Sequence, residues 1–286
     1  MNFNYLYSQV GKSKLLLAID DYGNKAKNFL HKVGNKDVKL ILGEFIYPDK
    51  PLLNNEAKVN REVLSRYINK SFPDKNQSGI GVLDWEGRSL DLLITLPSTD
   101  SVYQSVLIEF LFALKLAKTL RPKVSWGFFG IPFKQGNFKT RKGWEEGNNK
   151  IAPLLKSVDV FCPNLYGYNP SDLGNKEDVL VSIKLGLKFG KKVYPFIWHR
   201  YNGGDQVNYT LKLIPKLNFV NYAKETFTQK YHNKKVDGII WWAKDTYFYE
   251  SKVEMLLNEK PPNEKFIDYY DSLLIDYTKT LTKSIK

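Results

Sequence analysis

The sequence predicts an α/β fold: a TIM-like (β/α) barrel of about seven parallel strands, forming a single domain over residues 1–286. Three observations predict it. Short apolar, β-branched runs alternate along the chain with longer segments of helical period, the pattern of a parallel sheet covered by helices. The length of 286 residues matches one such barrel. The chain also lacks a Gly-x-Gly-x-x-Gly loop, which favours a closed barrel over an open nucleotide-binding sheet.

Each element has its own signal. The apolar run at 15–20 is the first strand and closes on Asp20 and Asp21. A short helix is expected at 24–33, and a second strand at 38–45 leads into a Tyr47-Pro48 turn. Residues 56–68 have helical spacing at Val59, Val63, Leu64 and Tyr67. The third strand lies in Ser78-Gly-Ile-Gly-Val-Leu-Asp-Trp-Glu-Gly87, a β-branched run bounded by glycines. Thr99-Asp100 can cap a long helix at 101–120, with Val106, Phe110, Ala113 and Leu114 on its inner stripe, and Arg121-Pro122 stops it. A fourth strand at 123–129 is followed by a charged loop at 137–148. A fifth strand at 159–166 precedes a helix at 176–189, and the sixth strand is 192–198. Beyond a polar stretch at 202–208 the sequence is mixed and helical up to a seventh strand at 236–242. The tail, about 263–282, reads as one amphipathic helix with Phe266, Tyr269, Tyr270, Leu273, Leu274 and Tyr277 on its inner side.

Composition narrows the function. Hydrophobic residues at 43% and aromatics at 14% exclude global disorder. The formal charge of +13 favours anionic partners, whether nucleic acid, lipid surface or acidic polysaccharide, and also fits plain solubility in a Lys- and Asn-rich chain. One cysteine, Cys162, leaves no intramolecular disulfide and no Cys-based zinc site. With three histidines a metal centre would need mostly carboxylate ligands, so no metal and no cofactor are expected. No apolar run is long enough to span a membrane. Residues 1–11 lack the charged-then-apolar order of a signal peptide, so the chain as given is expected to be cytoplasmic, or a mature secreted form. The oligomeric state is not legible.

In a (β/α) barrel the chemistry gathers where strands end at their C-termini. Asp84 and Glu86, spaced i and i+2, would share one face of the third strand, roughly 7 Å apart along the backbone. Two converging carboxyls repel each other, so one tends to hold a proton, as a glycosidic acid must. The same stretch also fits a strand running into an ordinary acidic turn. The other strand ends carry Glu44, Tyr47, Trp126, Phe128, Asn164, Tyr166, Trp198, His199, Trp242 and Asp245. Carboxylates ringed by aromatics describe a sugar cleft, because rings stack on pyranose faces. Aromatics inside a barrel are equally core filling.

With those residues laid out, the chain resembles the hyaluronidase family of glycoside hydrolases, venom enzymes included. Gly79-Ile-Gly-Val-Leu-Asp84-Trp-Glu86 is similar to that family's Gly-x-x-Val-Ile-Asp-(Trp/Phe)-Glu segment. Arg121-Pro122 with Trp126-Gly-Phe-Phe129 and Pro132 resembles its Arg-Pro, Trp-Gly-Tyr-Tyr and Pro pieces. Pro163-Asn-Leu-Tyr166, Val193-Tyr-Pro-Phe196 and Gly238-Ile-Ile-Trp-Trp242 match three further segments in family order. The resemblance implies a distorted barrel and a substrate-assisted retaining mechanism on an N-acetylhexosamine-containing polysaccharide, hyaluronan-like. In it Glu86 is the general acid, Asp84 orients the substrate's N-acetyl group, Tyr166 helps hold that group and Trp242 walls its pocket. His199, Trp126, Tyr47, Arg88, Trp198 and Asp245 complete the expected substrate-binding set. The chain departs from the family where His199 replaces a Tyr, where Arg88 is the only cation just after the motif, and before residue 38.

Two other classes compete. A catalytically silent carbohydrate- or polyanion-binding barrel is suggested by the loss of the family Tyr at His199. A nucleic-acid binder is suggested by the charge and by Lys134, Lys139, Arg141 and Lys142 interleaved with Phe138 and Trp144. The dispersed basic residues and the absence of a legible nucleic-acid module rank that reading last.

Overall fold

A computed structural model describes residues 15–19, 21–33, 38–47, 58–173, 176–204 and 207–284. The expected closing Asp20, the Pro48 turn and the start of the helix at 56 lie outside these residues. The strands are β1 (Leu15–Ile19), β2 (Val38–Leu42), β3 (Gly79–Asp84), β4 (Val124–Phe128), β5 (Val160–Phe161), β6 (Lys192–Val193), β7 (Phe196–Trp198) and β8 (Ile239–Ala243). The fold is α/β and every strand pairing is parallel. Among the described residues the strands fall into three short sheets, β1-β8-β7, β2-β3-β4 and β5-β6, and these do not close into a barrel.

The chain divides into two compact units. One comprises residues 37–164 and 181–194, the other residues 1–36, 165–180 and 195–286. The sixth strand of the sequence reading is split between them, because Pro195 has no N–H for a ladder and interrupts the run.

In the first unit β3 is central, with Leu42 opposite Asp84 and Leu83 opposite Phe128. Its Gly81 is required by packing: a Cβ there would lie 2.3 Å from the Trp126 ring. The helix Ser101–Leu120 covers the sheet, started by Asp100, whose carboxylate accepts from Val102 N at 2.7 Å. The expected loop at 137–148 is instead mostly the helix Arg141–Lys150. Thr140 caps it, Trp144 is buried, and the Phe138 ring lies against Gly147. Trp144 donates its indole N–H to Phe133 O at 2.6 Å, so it is no stacking platform for bases. Cys162 is fully buried in this unit, its backbone bridged to Phe129 and Ile131.

In the second unit β1 is buried along its whole length beside β8. The C-terminal helix runs from Phe266 to Ser284. Its buried Asp271 reaches back across the sequence to accept from Gly23 N at 2.7 Å and Ala26 N at 2.9 Å, which caps the helix Asn24–Val33. No helix among the described residues is long and apolar enough to cross a membrane.

Candidate active site

In the first unit β3 stops at Asp84, two residues short of the geometry expected for an Asp84/Glu86 pair on a strand. Gly87 takes a positive φ of 69° and turns the chain into the helix Arg88–Thr95. The facing pattern nevertheless persists through the turn: Asp84 is half-buried, Trp85 buried and Glu86 exposed. Trp85 is held between Phe110, parallel at 4.3 Å, and Tyr47, at 5.3 Å. This three-ring stack fixes the backbone that presents the two carboxylates.

Glu86 is exposed by surface area, yet the surrounding protein displaces enough water to raise its pKa, and the charge of Asp91 raises it further. Asp84 is not among the causes, so the expected mutual repulsion of the pair is replaced by burial and a helix residue. The Tyr47 phenol is also raised, by burial and then by the charges of Glu86 and Asp84. It therefore stays protonated and offers an O–H donor in the field of both carboxylates. Gly43 makes room for that ring, since a Cβ there would meet Tyr47 at 3.2 Å and the Asp84 carbonyl at 3.3 Å. Arg88, the first residue of the helix, is exposed.

Trp126, expected against substrate, is a core residue. It is fully buried against Gly81 and donates its indole N–H to Arg121 O at 3.2 Å, so it has no free face for a sugar.

In the second unit Tyr166, Trp198 and Trp242 come together. Tyr166 stacks on Trp242 at 5.8 Å, and Trp198 packs edge-on to Trp242 at 4.9 Å. Phe248, which the sequence reading missed, adds a fourth ring 5.8 Å from Trp198. Trp242 remains partly exposed, while Tyr166 and Trp198 are buried.

His199 and Asp245, expected against substrate, are both sealed from solvent. Trp241 donates its indole N–H to His199 Nδ1 at 3.1 Å, which leaves Nε2 to carry the ring proton toward Asp245 Oδ2 at 3.0 Å. Arg200 donates from Nε to Asp245 at 2.8 Å and from both terminal nitrogens to Glu259 at 2.8 Å, and from Nη1 to Leu211 O at 2.7 Å. Burial alone would raise the Asp245 carboxyl, but His199 and Arg200 outweigh it and hold the pKa at about 2. The cluster ties Arg200 to the Leu211 carbonyl and to Glu259 as well as to Asp245. Arg200 stood beside His199 in the sequence, but nothing there paired it with Glu259, 59 residues away.

No protein-family model matches the sequence. Curated relatives do: the inactive hyaluronidase B of Vespula vulgaris is 22% identical over 81% of this chain and 62% of its own length. The hyaluronidase of Vespa magnifica is 26% identical over 62% and 58%, and that of Apis mellifera 24% identical over 76% and 66%. Among solved structures, bee venom hyaluronidase superposes with a TM-score of 0.65 at 17% identity, over 93% of this chain and 99% of that one. The chain is a divergent hyaluronidase-like protein. A second bee venom structure, in complex with a hyaluronic acid tetramer, matches this hyaluronidase-like chain with a TM-score of 0.59 over 86% of its length. The chain spans about three fifths of the length of the first two curated relatives.

Proposed function

We propose that this chain is a glycoside hydrolase acting on an anionic, N-acetylhexosamine-containing polysaccharide, on a single distorted-barrel domain. The observation that carries the reading is the Asp84-Trp85-Glu86 turn at the end of β3, with the Glu86 pKa raised and the Tyr47 phenol in the field of both carboxylates. In this reading the substrate's own N-acetyl carbonyl oxygen attacks the anomeric carbon, with its amide oriented by Asp84. The glycosidic C–O bond breaks as Glu86 delivers its proton to the leaving oxygen. Water, deprotonated by the Glu86 carboxylate, then opens the cyclised intermediate and restores the acid. The family resemblance assigns Tyr166 to holding the acetyl group and Trp242 to walling its pocket, and Tyr47, Arg88 and Trp198 complete the set of candidate substrate-binding residues. The charge of +13 supports an acidic polymer.

The test is to incubate the protein with hyaluronan, chondroitin and chitin oligomers and weigh the products. Glu86→Gln should lower turnover about 10²–10⁴-fold while the oligosaccharide still binds, because Gln keeps the shape but has no proton to give. A variant as fast as wild type removes Glu86 as the acid. One relative carries the name inactive, which favours a second reading, a silent carbohydrate-binding fold. Glycan binding with no product from any of the three polymers would support it. A single calorimetric transition is expected, because the chain passes between the two units several times and neither is one continuous segment. Two resolved transitions would overturn the single domain.

A further inference from the structure

The end of the first unit's sheet opposite Asp84 and Glu86 is rich in lysine. The pairings of β2, β3 and β4 and of β5 with β6 are parallel, and the parallel bridge from Phe129 to Cys162 carries the same direction from β4 to β5. The connections that lead from helices into β3, β4, β5 and β6 therefore all lie at one end, away from the carboxylates. They carry Lys70, Lys75, Lys123, Lys156, Lys188 and Lys192, all six exposed and none in an ion pair among the described residues.

Two more lysines stand among these. Lys118 Nζ donates to Ser157 O at 2.9 Å and pairs with Asp159 at 2.6 Å, and Lys191 Nζ donates to Lys156 O at 2.9 Å. Against these eight lysines the same connections hold two carboxylates, Asp74 and Asp159. Burial lowers the pKa of Lys191, Asp159 opposes that, and the charge of Lys118 adds to it. Helix dipoles explain part of the array, since Lys70, Lys118, Lys156 and Lys188 stand in last turns, where a cation is favoured. They do not explain Lys75, Lys123 and Lys192, which lie between elements or at a strand start.

The charges thus form two rows, one at helix ends and one at strand starts, over four neighbouring strands that span roughly 14 Å. Two rows of point charges suit a broad partner better than a single polymer strand. Arg121, whose fork would suit the phosphates of a nucleic acid, is buried and donates to the Phe72 and Leu120 carbonyls. Among the described residues of these connections no aromatic ring stands exposed to stack on a base or a sugar. Leu187, 47% exposed beside Lys188, adds an apolar point at the margin.

We propose that this lysine-rich end is a docking surface for an anionic lipid bilayer, whose phosphate and carboxylate headgroups pair with the two rows. Docked in this way, the sheet directs Asp84 and Glu86 away from the bilayer. The inference goes beyond the carbohydrate reading and uses none of its residues.

The test is co-sedimentation of the full chain with vesicles of phosphatidylcholine alone and of phosphatidylcholine with about one third phosphatidylserine. Wild type should bind only the anionic vesicles, and high salt should release it. Lys156→Gln combined with Lys192→Gln should weaken binding about thirtyfold, a factor of about five for each lysine at such a surface. Lys156→Arg with Lys192→Arg should bind as wild type does. Lys224→Gln with Lys230→Gln removes the same charge from exposed positions of the second unit and should change binding little. Equal weakening by the two Gln pairs would reduce the attraction to net charge and overturn the docking surface. Binding to both kinds of vesicle alike, or to neither, would overturn it too. A heparin oligosaccharide or duplex DNA held through Lys156 and Lys192, with no vesicle binding, would assign these lysines to a polymer and overturn the proposal.

Discussion

Acidic side chains gather at two places in this molecule, and their pKa values are shifted in opposite directions. In one unit Glu86 stands at a turn with no cation paired to it among the described residues, and its carboxyl is raised above the ordinary 4.5. In the other Asp245 is buried more deeply and yet is driven down to about 2. The difference shows that burial alone does not choose the protonation state; the partners do. Asp245 has a guanidinium and an imidazole donor aimed at the same oxygen, so its charge is the cheaper form. Glu86 has lost water, has Asp91 near it and gains no such donor, so its pKa moves up.

That contrast can be broken by mutation. The largest effect expected is at Glu86: the Gln variant should lose about 10²–10⁴ in turnover with no fall in urea midpoint. A large stability loss there would make Glu86 a structural residue and erase the contrast. Asp245→Ala should do the reverse and cost about 3–5 kcal/mol of stability, because it leaves Arg200 buried beside a cavity. A change within error would mean the cluster is dispensable.

The pH responses should separate as well. In the proposed mechanism turnover needs protonated Glu86, so the rate should fall as pH rises through its raised pKa, on the alkaline side of 4.5. The folded-state pKa of Asp245 is depressed, so its contribution to stability is present above 3.8 and is lost as pH falls toward 2. A rate that climbs through the same alkaline range would show that the ionised form is the one required.

The smallest effect is at Asp21, whose carboxyl is raised to about 6 by burial and, against its hydrogen bonds, by the charge of Asp245. With a raised folded pKa the sign reverses, and stability is lost as pH climbs from 3.8 through 6. Asp21→Asn should therefore gain about 1 kcal/mol at pH values above that window, after allowance for solvent screening, and nothing below it. Equal midpoints at both ends would contradict the shift.

Much of this was legible in the residues. Periodicity located β1, β3, β4 and the helix Ser101–Leu120, because a buried strand and a long capped helix have strong local signals. The Asp84-Trp85-Glu86 segment was legible as the end of a buried strand, although the strand stops at Asp84. Two kinds of error share a cause. Trp126 and Trp85 look alike in sequence, yet one is sealed by Gly81 and the other supports the carboxylates; only packing distinguishes them. His199 and Asp245 carry the residue types of a binding site, but Arg200 and Glu259 convert them into a sealed ion cluster, and that pairing is non-local. The helix Arg141–Lys150 was hidden by two glycines and a polar composition, which the buried Trp144 and the Thr140 cap overcome.

Cys162 has one more consequence. It is the only thiol of the chain, fully buried, with its pKa pushed well above the ordinary 9.0 by burial. Bridged to Phe129 and Ile131, it can meet a thiol reagent only when the structure around it opens. Its labelling rate is therefore a clock for the opening of residues 37–164, the unit that carries Glu86. Because no second thiol competes for the reagent, that clock can be run on the unmodified chain, and slowing by a bound oligosaccharide would report occupancy from a position deep in the core.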